Sequence, residues 1–232
     1  MKIFAHISWL IATIIIFMGL FLMIVLFYLV PKPYSRKIAA WFIRLSIMYT
    51  VDIEGKEDPK ANMFLINHQS DLDIAVTETI TSRDLAWVAK KELFEIPFFG
   101  LALKFAKDIP VERESKTSLV KLLKNAKDRL DNRRVITMFP EGTRSTKGKM
   151  LPFKSGAKII ADKYKLRVQP IVLMQTSKYF NIKNFYYKPG RIKVIYLDSF
   201  DADKSNPDWL SDLRKTMQKV YDDELANNSS HR

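Results

Sequence analysis

Cysteine is absent from the 232 residues of this chain. That excludes a disulfide framework, a zinc–thiolate site and a cysteine nucleophile, and it fits a reducing compartment. Histidine is scarce, with only His6, His68 and His231. His6 lies in an apolar run and His231 in a polar tail. Neither offers ligand spacing with His68, so no metal site is expected. Acidic residues are missing from the first 50 positions, which carry Lys2, Lys32, Arg36, Lys37 and Arg44. From Ile3 to Val30 there is no Lys, Arg, Asp or Glu at all. Internal repeats and low-complexity stretches are also lacking.

What is present is a net charge of +13. A basic surface suits nucleic acid, anionic lipid headgroups or an acidic protein partner, and the N-terminus selects lipid. As a helix, Ile3–Val30 reaches roughly 42 Å, more than the roughly 30 Å of a hydrocarbon core. A cleavable signal peptide would be shorter and followed by small residues, but "YLVPKPYSRK" follows here. The basic residues after this segment place its downstream side in the cytoplasm. The next stretch, "SRKIAAWFIRLSIMYTV", puts Ile38, Trp41, Phe42, Leu45 and Met48 on one helical face. It is expected along the membrane surface with Arg36, Lys37 and Arg44 near phosphates, or else as a core-packing helix.

Residues 1–50 are therefore read as a membrane-associated pair of helices, 51–226 as a catalytic domain and 227–232 as a disordered tail. Within the domain, strands are predicted at Val51–Glu54, Met63–Asn67, Leu85–Ala89, Val135–Phe139, Arg167–Met174 and Arg191–Leu197. Helices are predicted at Ser115–Asp131, Ser155–Lys165 and Pro207–Leu225, the last capped by Asn206. Strands alternating with helices imply an α/β fold, a mixed, largely parallel sheet covered by helices.

Chemistry concentrates in "NHQSDLD", Asn67 to Asp73. Five residues of one α-helix rotate by about 500°, so His68 and Asp73 would stand about 140° apart. They meet only if His68 ends the strand and Asp73 opens the next helix. A carboxylate beside a histidine fixes its tautomer and makes a general base. Ser70-x-x-Asp73 also matches a capping box, so Asp73 has a structural reading too. Asp71 reads as a solvent or helix-terminus charge.

The second cluster is "FPEGTRSTKGKMLPFKSG". It follows a predicted strand, at the carboxyl edge where open α/β sheets bind ligands. Gly142 permits close backbone approach, Thr143 adds a hydroxyl and Arg144 a planar fork for phosphate. Glu141 is expected to orient Arg144 or hold a substrate hydroxyl. Lys90, Lys91 and Arg113 supply further basic groups at predicted strand ends. "LFEIPFFG" and "LALKFA" read as the border of an acyl tunnel or as core.

Together and in this order, these pieces resemble the glycerolipid acyltransferases. "NHQSDLD" is similar to their NHxxxxD block, "IPVER" to the second, "FPEGTRS" with "LPFKSGA" to the third and "VQPIVLM" to the fourth. "AKKELFEIPFFG" also falls where the family carries similar residues. The likeness covers about residues 51–200 and is nearest to the bacterial 1-acyl-sn-glycerol-3-phosphate acyltransferases. Glu112 stands where an Asp is frequent, and Gln169 precedes Pro170; neither touches the His68–Asp73 pair. The resemblance implies the glycerolipid acyltransferase fold. It implies transfer of an acyl group from acyl carrier protein or coenzyme A to the 2-hydroxyl of lysophosphatidic acid, giving phosphatidic acid. His68 would be the base, Asp73 its orienting group, and Arg144, Arg113 and Lys90 the grip on phosphate. The thioester is a co-substrate, and no cofactor is implied. The enzyme would work at the inner membrane with its catalytic domain on the cytoplasmic face. An acyltransferase for another lysophospholipid or glycerol 3-phosphate, and a non-catalytic anionic-lipid-binding protein, are the rival readings.

Overall fold

The computed structural model describes residues 2–30, 32–112, 116–145, 148–181 and 186–230. Two helices open the chain, α1 (Lys2–Leu29) and α2 (Lys32–Ile47). Then follow β1 (Tyr49–Glu54), β2 (Met63–Ile66), α3 (Leu72–Ile80), β3 (Leu85–Lys90), α4 (Phe99–Phe105), β4 (Ile109–Val111), α5 (Lys116–Asp131) and β5 (Val135–Met138). The chain continues with α6 (Gly156–Tyr164), β6 (Arg167–Leu173), the short β7 (Phe180–Asn181) and β8 (Tyr186–Tyr187), β9 (Gly190–Tyr196), β10 (Phe200–Asp201) and α7 (Trp209–Ser230).

The main sheet runs β1-β9-β6-β2-β5-β3-β4, with β10 antiparallel to β6. Strands β6, β2, β5, β3 and β4 are mutually parallel, while β9 opposes β6 and pairs in parallel with β1. All six strands read from the sequence are present, and the sheet is mixed and largely parallel as expected. Successive side chains of a strand alternate faces. Met63 and Leu65 enter a core under α5, α6 and α7, which includes Ala126, Ile160 and Met217. Phe64 and Ile66 enter the opposite core, with Ile43, Ile47, Leu72 and Val76 of α2 and α3. Strand β2 is buried on both faces. It is also the strand that delivers His68.

Helix α2 is tied into the domain rather than resting wholly on lipid. Arg36 donates to Glu78 Oε1 at 3.0 Å, to Leu85 O at 2.9 Å and to Asp108 Oδ1 at 2.9 Å. Lys37 donates to Thr81 O at 2.7 Å. These two cations therefore face α3, β3 and β4 and not headgroups, which corrects the sequence expectation for them. Of the predicted apolar face, Ile38, Trp41, Leu45 and Met48 are exposed, while Phe42 packs inward against the core of Ile43 and Ile47. Arg44 lies over Trp41, 4.5 Å from the ring centroid.

Helix α1 packs at both ends. Trp9, Ile15 and Ile16 meet the core that includes Tyr179 and Tyr187, while Met23, Ile24 and Phe27 meet Ala39, Ala102 and Phe105. Gly19 lets α2 approach, since a Cβ there would stand 2.7 Å from Ile43 Cγ1. The opposite side exposes Ile7, Leu10, Ile11, Ile14, Phe17, Met18, Phe21, Val25 and Tyr28. That spacing is a single helical stripe along the whole length. By length and composition, Trp9–Leu29 is the one helix among the described residues able to cross a bilayer.

Three further expectations shift. Helix α7 starts at Trp209 instead of Pro207, because the Asn206 side chain accepts from Asp208 N at 3.0 Å and turns the chain first. The same helix continues through residue 230, so positions 227–230 are helical where a disordered tail was expected; 231–232 lie outside the described residues. In "LFEIPFFG" only part is core: Phe94 is buried, while Ile96 and Phe98 are exposed.

Candidate active site

The loops after β6, β2 and β5 leave neighbouring strands at the carboxyl edge of the sheet, and they bring His68, Glu141, Arg144 and Thr176 together. Helix α3 starts at Leu72, four residues after His68. The break in between turns the chain, so Asp73 Oδ2 comes to 2.8 Å from His68 Nδ1. One helix could not have closed that gap. Asp73 is fully buried. Its Oδ2 also accepts the amides of Gln69 at 2.6 Å and Ser70 at 2.9 Å, and its Oδ1 accepts the Thr176 hydroxyl. Four donors converge on this carboxylate, three on Oδ2 and one on Oδ1, so it acts as the acceptor throughout. The hydrogen in the His68 bond therefore sits on Nδ1, leaving Nε2 as the free acceptor.

Half of the capping box is realised. Asp73 accepts from Ser70 N, but the Ser70 hydroxyl donates to Phe180 O at 2.6 Å and does not reach the Asp73 amide. Structural and chemical readings of Asp73 therefore coexist.

Glu141 is buried and holds the histidine's backbone. Its Oε1 accepts His68 N at 2.9 Å and its Oε2 accepts Leu151 N at 2.7 Å. Ser145 N returns a bond to His68 O at 2.8 Å. Burial pushes the Glu141 carboxyl up, against the pull of those amides. Of the expected roles, orienting Arg144 is not what the carboxylate does: its two oxygens hold backbone amides, and Arg144 pairs with Asp71 instead. The preceding Phe139 stacks on the imidazole, centroids 3.9 Å apart and rings within 6° of parallel. His68 is thus fixed by its backbone, its ring face and its Nδ1.

Arg144 pairs with Asp71, and both side chains are 35% exposed. Asp71 stands at the start of α3, as its helix-terminus reading had it, and the ion pair with Arg144 replaces the solvent reading. Burial pushes its carboxyl up, against Arg144 and His68. Gly142 has φ +69°, as the turn from Phe139 requires, and it and Thr143 are exposed at the edge of the site. Lys90 ends β3 and pairs with Glu92 at 3.1 Å, while Lys91 pairs with Glu112 at 3.2 Å. Both are half exposed and stand two strands from β2. Arg113 lies outside the described residues.

Sequence reasoning missed the contributors from far along the chain. Thr176 follows β6 and completes Asp73. From α7, Gln218 accepts from Met150 N at 2.7 Å and donates to Gly148 O at 3.1 Å. The Tyr221 ring lies against the same loop, 3.5 Å from where a Cβ on Gly148 would stand. The last helix so braces the loop after β5, which carries Glu141 and Arg144. The only local signal was the apolar stripe of α7, which announces packing and not position.

A family model described as Acyltransferase matches residues 50–174. A 1-acyl-sn-glycerol-3-phosphate acyltransferase of Helicobacter pylori is 43% identical over 188 residues, covering 81% of this chain and 79% of that one. One from Escherichia coli is 26% identical over 191 residues, covering 80% and 77%. The crystal structure of the 1-acyl-sn-glycerophosphate acyltransferase PlsC from Thermotoga maritima superposes with a TM-score of 0.71 at 22% identity, over 98% of this chain and 97% of that one, which establishes the shared fold. With the family model across the site and this degree of identity around it, the chain belongs to the 1-acyl-sn-glycerol-3-phosphate acyltransferase family.

Proposed function

We propose that the protein transfers a fatty acyl group from an acyl thioester, carried by acyl carrier protein or coenzyme A, to the 2-hydroxyl of 1-acyl-glycerol 3-phosphate. The observation that carries this reading is the His68–Asp73 pair at 2.8 Å, with three further donors converging on the Asp73 carboxylate. His68 Nε2 takes the hydroxyl proton as the oxygen attacks the thioester carbonyl carbon. The tetrahedral oxyanion collapses, the C–S bond breaks, and the leaving thiolate recovers the proton from the imidazolium. The acyl group passes directly between substrates, so neither an acyl-enzyme nor a cofactor takes part. Arg144 is the principal grip on the acceptor phosphate, with Gly142 and Thr143 beside it and Lys90 on the flank; Arg113 keeps the phosphate-binding role that the family resemblance gives it.

The membrane reading follows from α1. A lone spanning helix stands clear of its soluble domain, whereas α1 packs on the domain through Trp9, Ile15 and Ile16 and again through Met23, Ile24 and Phe27, with an apolar stripe outward. It lies in the plane of one leaflet. The basic surplus directs the domain to the anionic leaflet facing the cytoplasm of the inner membrane.

The test is purified protein in detergent with lysophosphatidate, glycerol 3-phosphate and a lysophospholipid with a neutral headgroup, each with both donors. Turnover of lysophosphatidate above the others is the expected result. A preference for another acceptor replaces the substrate assignment, and no turnover with any pair defeats the enzymatic one. Arg144→Ala should raise KM for lysophosphatidate by about 10- to 100-fold, the value of one or two charge-assisted bonds, with little change in donor KM. An equal rise for both substrates would remove Arg144 from the phosphate. Asp71 occupies Arg144 before the substrate arrives, so Asp71→Asn should lower acceptor KM by about two- to fivefold, as a half-exposed pair is relieved. A higher KM would make Asp71 a support for Arg144 and not its competitor.

A further inference from the structure

Strain and exposed apolar surface coincide in the turn between β3 and α4. Phe98 has φ 61° and ψ −53°. Phe99 N donates to Pro97 O at 2.7 Å, closing a γ-turn of the rare positive-φ form, a costly backbone for a bulky residue. The turn is fixed from both sides. Gly100 N donates to Ile96 O at 2.7 Å, and a Cβ on Gly100 would stand 2.2 Å from Phe94 O. Glycine suits such a backbone at position 98. The chain instead places a phenyl ring there and leaves it 70% exposed, flanked by Ile96 at 46% and Leu101 at 42%. A strained residue left mostly exposed points to function.

Its neighbours indicate what it meets. Phe98, Leu101 and Phe105 are spaced i, i+3 and i+7, on one side of α4 and its entry. Phe105 contacts Phe27 and Tyr28 of α1, with ring centroids at 6.1 Å and 5.3 Å. Tyr28 belongs to the outward stripe of α1. Exposed apolar surface therefore continues from that stripe across Tyr28 and Phe105 to Leu101 and Phe98. Lys90 and Lys91 stand just before the turn, half exposed, and Lys104 ends α4. Glu92 and Glu112 pair with those lysines, so the apolar tip stands inside a rim of mixed charge, which suits the boundary between acyl chains and headgroups.

We propose that the Ile96–Pro97–Phe98 turn is a second membrane-insertion element, entering the acyl region of the same leaflet as α1. The proposal rests on the reading of α1 as a lipid-facing helix and of the acceptor as a membrane lipid. Two contacts make a line of attachment into a plane, which fixes the tilt of the domain. Because the turn leaves the carboxyl end of β3, and β3 is separated from β2 by β5 alone, it seats the edge bearing His68 at the bilayer, about 10 Å across the sheet from the turn's strand. A lysolipid then reaches the site laterally without leaving the leaflet.

The experiment uses the full chain with vesicles of phosphatidylethanolamine and phosphatidylglycerol. Phe98→Gly removes the ring and relieves the backbone, so it should melt no lower than the parent. Expected results are about tenfold weaker partitioning onto vesicles and about tenfold slower acylation of long-chain lysophosphatidate held in them, at limiting lipid. Turnover of a short-chain, water-soluble acceptor should stay within twofold, and Phe98→Trp should keep the parent behaviour. Unchanged partitioning overturns the proposal. So does an equal loss on the soluble acceptor, which would make the turn part of the catalytic structure. A change in the detergent-solubilised mass without a change in partitioning would reassign the surface to a second copy of the chain. Failure of the parent to acylate either acceptor defeats the functional reading separately, and partitioning still decides the insertion.

Discussion

His68→Ala is expected to lower kcat by about 10²- to 10⁴-fold, the usual worth of a positioned general base, while the protein keeps its fold and its affinity for vesicles. The side chain is only partly enclosed, and its backbone stays anchored by Glu141 and Ser145. Deleting the ring removes a stack on Phe139 and leaves no charge unpaired beyond what Asp73 already shares among three other donors. Asp73→Asn should match it in rate and exceed it in structural damage. An asparagine presents an NH2 group to a ring of donors, so at least one bond is lost or the imidazole tautomer reverses and Nε2 carries the hydrogen. Single-turnover acylation with both variants, together with thermal melts, measures this. Near-parent rates in His68→Ala would sink the mechanism. A large rate loss in Asp73→Asn with an unchanged melting temperature would show that the tautomer, and not loop geometry, is what Asp73 controls.

The legible part of this architecture is the part governed by local periodicity. Strands such as Met63–Ile66 and Val135–Met138 are short apolar runs between turn signals, and they sit where the pattern put them. His68 and Asp73 were legible as a possible pair because a strand end and a helix start bracket them. What was hidden is what comes from a distance or depends on which of two apolar faces turns outward. Glu141 is 73 positions from the amide it holds, and Thr176 is 103 from the carboxylate it completes. No local pattern announces either. Arg36 looked like a headgroup cation because nothing near it in sequence is acidic, yet its partners Glu78 and Asp108 arrive on α3 and before β4. In α1 both faces are apolar, so composition gave the length of the helix but not its orientation.

Arg36→Ala should cost about 3–5 kcal/mol of folding stability, the usual penalty for leaving buried charge unpaired. Arg36 points inward from α2 to Glu78 and Asp108, which are 2% and 5% exposed. Burial opposes its charge, but Asp108 and Glu78 more than offset that and hold the guanidinium above its ordinary value. Burial pushes the Asp108 carboxyl up even with Arg36 in place. Without the cation that carboxyl rises further, and the sign of the pH effect follows. An acid whose folded pKa exceeds its unfolded one loses stability as pH rises from the unfolded value through the folded one. The deficit of Arg36→Ala is therefore smaller near pH 5 than at pH 7.5, and adding Asp108→Asn should recover part of it at the higher pH. A deficit independent of pH would trace the loss to packing alone. Asp108 also accepts Trp87 N at 3.0 Å, and Glu78 accepts Trp87 Nε1 at 2.8 Å, so the same ions order β3. They also hold α3, whose first turn carries Asp73. The ion cluster is thus the joint between the helix that faces the membrane and the helix that orients the base, and loosening it should lower kcat together with the melting temperature.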